Sequence, residues 1–331
     1  MLRRQFVRSL VGMTLASNFG RLEVLAQPSS VVRIVNGFPA GGVVDIVSRR
    51  IAEALPGPGF SASVIVDNKV GAAGRIACAV VKSAPADGNT LLLSPDTVMS
   101  LYPFVYSKLE YDPFKDFIPV STGALTTDAL AVGPMVPDSV RSLRDFLSWA
   151  KSHTSQANFG SPGSGSPLHL LGALLAAESA VALNHVPYRG AAPGVADVLG
   201  GQIAAMIAPT GNFLSGYRAG KLRILATSSM KRSPFTPDVP TFAEQKFAGD
   251  YPATEQSFGF FVASGTSSSV VNQINMAITR ALSQKSVVDS LAVFGMVAKS
   301  STSSEMITTL KDQHEKWGAI VRQLGFKAET A

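Results

Sequence analysis

The chain has 331 residues, of which 46% are hydrophobic and 16% are charged, and this composition excludes a disordered chain. Its length is sufficient for two domains of roughly 100–200 residues each. The formal net charge is +6, but the first 27 residues contribute +3 through four arginines and one glutamate, which leaves +3 for the rest. A balance this mild, with no basic stripe of interleaved aromatic residues, predicts no nucleic-acid partner.

The N-terminal stretch has the organisation of an export signal, which we predict at residues 1–26. Arg3, Arg4 and Arg8 give it a positive start, and an apolar segment and a small-residue cleavage site after Ala26 follow. The order of residues in "RRQFVR" favours the twin-arginine route over the general one. An amphipathic or disordered leader is the alternative. No later stretch reaches 18 apolar residues, so the sequence predicts a periplasmic protein without a membrane span.

Strand and helix patterns alternate along most of the remaining chain. Apolar runs bounded by turn residues predict strands at 31–36, 62–67, 87–94, 183–188, 203–208, 222–227 and 258–264. Helical periodicity predicts helices at 43–55, 71–84, 142–153, 165–179, 192–201 and 212–220, with three more after residue 264. Capping-box spacing marks two of the helix starts, after Ser142 and Thr302. This alternation predicts an α/β fold of parallel sheets, with ligands at the carboxyl ends of the strands.

The first glycine turn, "GFPAGGVVD" at 37–45, lies between a predicted strand and a predicted helix. It lacks the Lys-Ser/Thr pair of a P-loop and the spacing of a dinucleotide fingerprint. Its glycines nevertheless allow a small anion to approach the unpaired N–H groups of the helix start. An ordinary strand-to-helix turn is the alternative. Asp45, at the third helical position, is expected to stabilise the helix start or to order the loop.

A second glycine turn, "FGSPGSGSPLHL" at 159–170, has the same position between a strand and a helix. Ser166 is predicted as the N-cap of that helix, with Pro167 at its first position. Ser161 and Ser164 add hydroxyl groups, although a flexible serine-glycine loop is the alternative. His169 either hydrogen-bonds a ligand or supports the loop.

A third glycine-containing helix start lies in "YRGAAPGVAD" at 188–197. Its Arg189 either pairs with a carboxylate in bidentate fashion or is an exposed loop arginine. Several helix N-termini with small polar residues favour a carboxylate receptor over a catalyst.

The sequence has no recognisable catalytic or metal-binding pattern. It contains neither G-x-S-x-G nor H-E-x-x-H, and the histidines at 153, 169, 185 and 314 lack metal-ligand spacing. The single cysteine, Cys78, falls in an apolar helical run and is predicted to be a buried hydrophobe. We therefore predict no catalytic residue, metal ion or cofactor. A secreted hydrolase that uses the serine-glycine loop stays open, because a triad assembled in three dimensions is not visible in a sequence.

Segments spread over nearly all of the chain after the leader resemble Bug-type receptors, the extracytoplasmic solute-binding components of tripartite tricarboxylate transporters. They include "GFPAGGVVDIVSRRIAEAL", "VIVDNKVGAAGRIA", "LEYDPFKDFIPVS", "NFGSPGSGSPLHLLGALL", "HVPYRGAAPGVADVLGGQI" and "RAGKLRILATSSMKRSPFTPDVPTFAE". The resemblance implies a two-lobed periplasmic binding fold of type II-like form, each lobe a mostly parallel sheet flanked by helices, with two crossing strands. It gives lobe 1 as 28–127 and 257–331, and lobe 2 as 128–256.

The resemblance also implies a small carboxylate held in the interlobe cleft by main-chain N–H groups and water. Lobe closure would deliver this ligand to membrane permease subunits, with a sensor system as the alternative partner, and a monomer is expected. Together, the sequence and the resemblance assign the ligand site to Phe38, Ala40, Gly41, Gly42, Asp45, Thr97, Ser161, Ser164, Ser166, His169, Tyr188, Pro209 and Thr210.

Two departures from the family pattern bear on the ligand. Ala204 and Ala208 stand where relatives often have aspartates, and Arg75 stands where asparagine is common. The first departure predicts a less acidic wall near Pro209 and Thr210. We therefore expect an organic acid, with one or two carboxylates, rather than an amino acid.

Overall fold

The computed structural model describes residues 31–57, 60, 63–247, 251 and 255–326. The export signal predicted at 1–26 lies outside these residues and stays a prediction. Within the described residues, no helix combines the length and the apolar character that crossing a bilayer requires.

Strands and helices alternate as the sequence predicts. The strands, numbered along the described chain, are β1 (Val31–Asn36), β2 (Ser63–Asn68), β3 (Thr90–Pro95), β4 (Phe117–Thr126), β5 (Asp128–Val132), β6 (Asn158–Ser161), β7 (Asn184–Pro187), β8 (Ala205–Pro209), β9 (Arg223–Thr227), β10 (Gln256–Ala263) and β11 (Met296–Ala298). The helices are α1 (Val43–Ala54), α2 (Arg75–Lys82), α3 (Thr97–Ser100), α4 (Tyr102–Val105), α5 (Leu143–Ser152), α6 (Pro167–Ser179), α7 (Ala191–Leu199), α8 (Leu214–Arg218), α9 (Ser268–Leu282), α10 (Lys285–Ala292) and α11 (Ser303–Leu324).

The strands form two separate sheets, and this confirms the predicted two-lobed α/β fold. The first sheet has the order β11-β4-β10-β3-β1-β2 and the second has the order β7-β6-β8-β5-β9. We call each sheet with its helices the first lobe and the second lobe. Pairing is parallel among β1, β2 and β3 and among β6, β7 and β8. The remaining pairs are antiparallel, so each sheet is mixed rather than mostly parallel.

Every antiparallel pair includes β4, β5 or β10, which begin or end where the chain passes from one lobe to the other. Only Thr127 separates β4 in the first sheet from β5 in the second. The chain returns between Thr227, the end of β9, and Gln256, the start of β10. The first predicted lobe boundary lies at Thr127, and the second lies between the first two residues of β10; we retain both as a proposal.

Local sequence signals explain where the helices begin and end. The predicted capping boxes are present: Ser142 and Asp145 exchange hydrogen bonds at the start of α5, and Thr302 and Glu305 do so at the start of α11. Gly325 ends α11 with a left-handed φ of 59°, which glycine adopts without a steric penalty. Cys78 is fully buried in α2, as predicted. Burial raises the pKa of its thiol to about 12, so the thiol is unreactive at neutral pH.

Two buried carboxyl groups lie beside the first crossing. Asp96 follows β3 in the first lobe and Asp128 begins β5 in the second, and both are almost completely buried. The hydroxyl of Ser257 donates to Asp96 Oδ2 at 2.8 Å, and that of Tyr251 donates to Asp128 Oδ2 at 3.4 Å. The Oδ1 atoms of both aspartates have no hydrogen-bond partner among the described residues.

This environment favours the protonated form of both groups. Burial raises the pKa of Asp96 to about 6, and burial together with the charge of Asp96 raises the pKa of Asp128 to about 7. An unfolded aspartate has a pKa of about 3.9. The folded state therefore binds protons more tightly, so stability is retained below about pH 4 and falls as the pH rises through 6 and 7.

Asp128→Asn should remove part of this pH dependence, since asparagine resembles the protonated carboxyl and carries no charge. We expect the melting temperature of the variant to exceed that of the wild type by a few degrees at pH 8 and by less at pH 4.5. Thermal unfolding followed by circular dichroism at both pH values measures the difference. An equal change at both values would contradict the assignment of raised pKa values to this pair.

Candidate functional site at the interlobe cavity

A cavity of about 150 Å³ lies between the two lobes, which is room for a small organic molecule. The first lobe contributes to its lining the residues Phe38, Pro39, Ala40, Gly42, Thr97, Tyr102, Gln256 and Phe258. The second lobe contributes Gly163, Ser166, Leu168, Arg189, Gly190, Pro209 and Asn212. Most of these side chains are apolar, and no aspartate or glutamate of the described chain lines the cavity.

Three helices begin at this cavity. The lining includes Val43 and Val44 of α1, Leu168 of α6, and Ala191 and Ala192 of α7. The first N–H groups of a helix have no intrahelical acceptor, and the helix dipole adds partial positive charge there. Within the described chain, none of these five N–H groups donates to another backbone or side-chain acceptor. The cavity therefore presents backbone donors suited to an anion.

Two of these three helices begin after a glycine, as α2 also does. Gly42 precedes α1 and Gly190 precedes α7, and neither position supplies a side-chain cap. Helices α5 and α11 begin away from the cavity, and each has a complete capping box with a carboxylate. Donors are thus left unpaired at the cavity and satisfied internally at these two distant helix starts.

Asp45 orders the first glycine turn from inside the protein. Its buried carboxylate accepts hydrogen bonds of 2.9 Å from the N–H of Gly41, from Asn68 Nδ2 and from Arg49 Nε. Burial alone would raise its pKa, but the hydrogen bonds from Arg49, Gly41 and Asn68 outweigh burial and lower the pKa. Gly41 adopts a left-handed φ of 79°. Its N–H is therefore engaged within the turn, while Ala40 and Gly42 line the cavity.

The second glycine turn brings one of its three serines to the cavity. Ser166 caps α6 as predicted, with its hydroxyl accepting from the N–H of His169 at 3.2 Å. Ser161 is fully buried, and its hydroxyl lies 2.7 Å from His185 Nε2. Ser164 is exposed, and its carbonyl oxygen accepts a 3.2 Å hydrogen bond from Tyr106 of the first lobe. Ser161 therefore stabilises the turn from the protein interior, and the carbonyl oxygen of Ser164 connects the turn to the first lobe.

His169 stacks on His185 and supports the turn. Their ring centroids are 3.5 Å apart with planes inclined by 11°, and the N–H of Gly165 donates to His169 Nδ1 at 3.2 Å. Burial lowers the pKa of His169 to about 4. Burial and the neighbouring His169 lower the pKa of His185 to about 3. Both rings are uncharged at neutral pH, so this pair supplies no cation to the cavity.

The pairing of Ser161 with His185 has the spacing of a nucleophile and its base. Ser161 is nevertheless fully buried and does not line the cavity. A ligand in the cavity does not reach its hydroxyl in this arrangement, so the pair supports the loop.

The remaining predicted site residues divide between the lining and the layer behind it. Thr97 and Pro209 line the cavity. The hydroxyl of Tyr188 donates to Asp197 at 2.7 Å, and burial raises the pKa of this phenol to about 12. Thr210 is buried and bonds Thr127 at the crossing. The lining thus includes Phe38, Ala40, Gly42, Thr97, Ser166 and Pro209 but not Gly41, Asp45, Ser161, Ser164, His169, Tyr188 or Thr210.

The structure also corrects the reason for expecting a non-acidic wall. Ala204 and Ala208 are completely buried in the apolar core of the second lobe and do not line the cavity. The cavity lacks acidic groups because none of the described residues that line it is an aspartate or a glutamate. Among them, Arg189 brings a cation to the lining, and no acidic group of the described chain lies within ion-pair distance of it.

Comparisons with known proteins give a consistent result. Residues 47–326 match the family described as tripartite tricarboxylate transporter family receptor. The structure of the periplasmic binding protein BugD is 27% identical, with a TM-score of 0.83 over 91% of this chain and 100% of that one. MatC from Rhodopseudomonas palustris with bound malate is 28% identical, with a TM-score of 0.79 over 89% and 99% of the two chains. A second R. palustris protein, with adipate, is 27% identical, with a TM-score of 0.81 over 91% and 99%.

Ser166→Ala should affect both the helix and the cavity. Loss of an N-cap costs about 0.5–2 kcal/mol, so the melting temperature should fall by a few degrees at most. Ser166 also lines the cavity at the start of α6, so the affinity for small carboxylates should fall, as calorimetry would measure.

Ser142→Ala is the matched control, because it removes the cap of α5 away from the cavity. It should lower the melting temperature by a similar amount and leave carboxylate affinity unchanged. Equal losses of affinity in both variants would show that Ser166 acts through helix stability alone.

Proposed function

Because the chain belongs to the tripartite tricarboxylate transporter receptor family, we propose that it is a periplasmic receptor that captures a small organic acid between its lobes. The observation that carries this proposal is the convergence of three uncapped or hydroxyl-capped helix N-termini on one cavity without acidic side chains. The receptor performs no chemistry on the ligand.

A carboxylate suits this site in both charge and affinity. A hydrogen bond to a charged group contributes about 1.5–3 kcal/mol. A few such bonds, together with contact to apolar side chains such as Phe38 and Phe258, give a free energy near −8 kcal/mol, or micromolar affinity. The malate and adipate named for the two R. palustris structures are dicarboxylates, which supports the same class of ligand here.

The lining also favours an organic acid over an amino acid. An ammonium group needs an acidic or carbonyl partner, and the described lining has no carboxylate. Arg189 and the positive ends of the helix dipoles further disfavour a ligand cation. Arg189 is free to meet a second carboxylate of a dicarboxylic acid in bidentate geometry.

Delivery to membrane permease subunits follows from lobe closure in this proposal. One hydrogen bond already links the lobes beside the cavity, from the hydroxyl of Tyr106 to the carbonyl oxygen of Ser164. Arg75 stacks on the Tyr106 ring at 4.0 Å and holds it at the rim. Ligand that bridges the lobes would stabilise the closed form, whose surface the permease would recognise. The receptor is proposed to act as a monomer.

The anion requirement can be tested with three versions of one ligand: a carboxylate, its amide and its α-amino analogue. We expect the carboxylate to bind most tightly and to be recovered unchanged, since its charge matches the helix N-termini. At 100 times its dissociation constant it should add about 2.7 kcal/mol of stability. Calorimetry and thermal shift measure both effects. Equal affinity for the amide, tighter binding of the amino analogue, or turnover would each contradict the proposal.

Gly42→Val should abolish ligand binding and leave a folded protein. Gly42 lines the cavity at the start of α1 with a φ of −75°, which valine also adopts. An added Cβ would lie 3.2 Å from the carbonyl oxygen of Pro39, so valine would crowd the turn and shield the N–H groups. Calorimetry on the variant measures the loss.

Gly42→Ala provides a graded comparison, because it adds only the Cβ and should give an intermediate affinity. The melting temperature without ligand reports folding in both variants. Unchanged affinity in Gly42→Val would remove the first turn from the binding site.

A further inference from the structure

Asn68, the last residue of β2, lies beside the first glycine turn. It pairs in register with Asn36, the last residue of β1, from which the chain enters that turn. Asn68 is half-buried and does not line the cavity, whereas Phe38, Ala40 and Gly42 of the turn do. Any effect of Asn68 on a ligand therefore passes through the turn.

The side-chain amide of Asn68 is bonded on both of its polar atoms. Its Nδ2 donates to the carbonyl oxygen of Phe38 at 3.0 Å, to Asp45 Oδ1 at 2.9 Å and to Asn36 Oδ1 at 3.2 Å. Its Oδ1 accepts from Arg49 Nη2 at 3.2 Å. A rotated amide would place its oxygen against these acceptors and its NH2 group against a guanidinium, so the contacts fix its orientation.

The acceptors of this NH2 group belong to different parts of the turn. Asn36 Oδ1 also accepts from the N–H of Phe38 at 3.0 Å, where the turn begins. Asp45, in the first turn of α1, accepts from the N–H of Gly41 at 2.9 Å. One NH2 group of Asn68 thus connects the end of β1, a cavity-lining residue and the start of α1.

We propose that Asn68 is a positioning residue of the ligand site, whose NH2 group fixes the path of the first glycine turn and thereby places Phe38 and the start of α1 against the ligand. This rests on the proposed function and deepens it by assigning the placement to a residue outside the cavity. The glycines at 37, 41 and 42 leave the turn backbone free to take other paths. A ligand that had to order such a turn would lose affinity by the cost of ordering it.

Asn68→Asp tests the donor itself, because it keeps the shape of the side chain and replaces the NH2 group by an oxygen. The charged side chains bonded to this amide are Asp45 and Arg49. At pH 8 the new oxygen repels Asp45 and the other acceptors, so we expect about tenfold weaker ligand binding. Of two carboxyl groups this close, one takes up a proton at a raised pKa, and that proton restores a donor. The affinity should therefore return to within about threefold of the wild type at pH 5.5.

Calorimetry on the full protein measures these affinities, with the tightest-binding member of a panel of carboxylates that includes malate and adipate. Each affinity is compared with that of the wild type at the same pH, so titration of the ligand itself cancels. Asn68→Ala removes the donor without adding a charge and should bind about tenfold more weakly at both pH values. The melting temperature without ligand reports the folding of each variant, and Asn68→Ala decides the outcome if Asn68→Asp does not fold at pH 8.

Asn89→Asp is the matched control, because it creates the same kind of carboxyl pair away from the site. Asn89 precedes β3 at the amino end of the parallel strands and does not line the cavity. Its Nδ2 donates to Asp87 Oδ2 at 2.9 Å. The control should change stability with pH and leave the ligand affinity equal to that of the wild type.

Wild-type affinity at pH 8 in either folded variant of Asn68 overturns the inference and leaves the proposed function standing. A loss in Asn68→Asp that persists at pH 5.5 also overturns it, since the effect then does not depend on the donor. An equal loss in Asn89→Asp overturns it too, because affinity would then follow stability alone. Absence of wild-type binding to every carboxylate of the panel overturns both the inference and the proposed function.

Discussion

The backbone N–H groups that a helix leaves unpaired at its start make this protein's cavity suited to an anion. A helix that follows a strand begins at the carboxyl end of that strand, so β1, β6 and β7 deliver the starts of α1, α6 and α7 to one edge of each lobe. Prolines at 167 and 193 remove two of the possible donors, and Ser166 satisfies a third. What remains is a small set of N–H groups without a partner in the described chain, on residues that line the cavity between the lobes. Because two of the three caps are glycines, no side chain of the protein competes with a ligand for them.

The same arrangement explains why the supporting residues stay out of the cavity. Asp45 uses its carboxylate to fix the first turn from behind, and the stacked histidines fix the second turn while remaining uncharged. A carboxylate inside the cavity would repel an anion, and a charged imidazolium would need its own buried partner. Buried side-chain atoms without a partner among the described residues include Oδ1 of Asp96 and Asp128 and Oε1 of Gln256. Asp96, Asp128 and Gln256 lie next to the two crossings between the lobes, so protonation of the two aspartates acts where the lobes join.

Much of the fold and part of the site follow from local sequence signals. Capping boxes, the Ser166 cap and the glycine turns act over three or four residues, and the structure contains each of them. Strands β4 and β5 were not predicted, because "FIPVSTGALT" mixes small, polar and apolar residues without a period of two, while both faces of the strand are covered. The partnership of Ser161 with His185 joins residues 24 positions apart, and no local pattern encodes it. The expectation of a non-acidic wall was based on Ala204 and Ala208, which lie in the core and do not line the cavity.

Where the ligand carboxylate binds along the backbone decides whether the helix N-termini hold it. Backbone N–H resonances of isotopically labelled protein can be followed while the carboxylate that gives the largest thermal shift is added. We expect large downfield shifts for Val43, Val44, Leu168, Ala191 and Ala192, which line the cavity and whose N–H groups have no partner among the described residues. The capped first turns of α5 and α11 should show no comparable change. Saturable binding that leaves those five resonances in place would contradict the claim that helix N-termini hold the ligand.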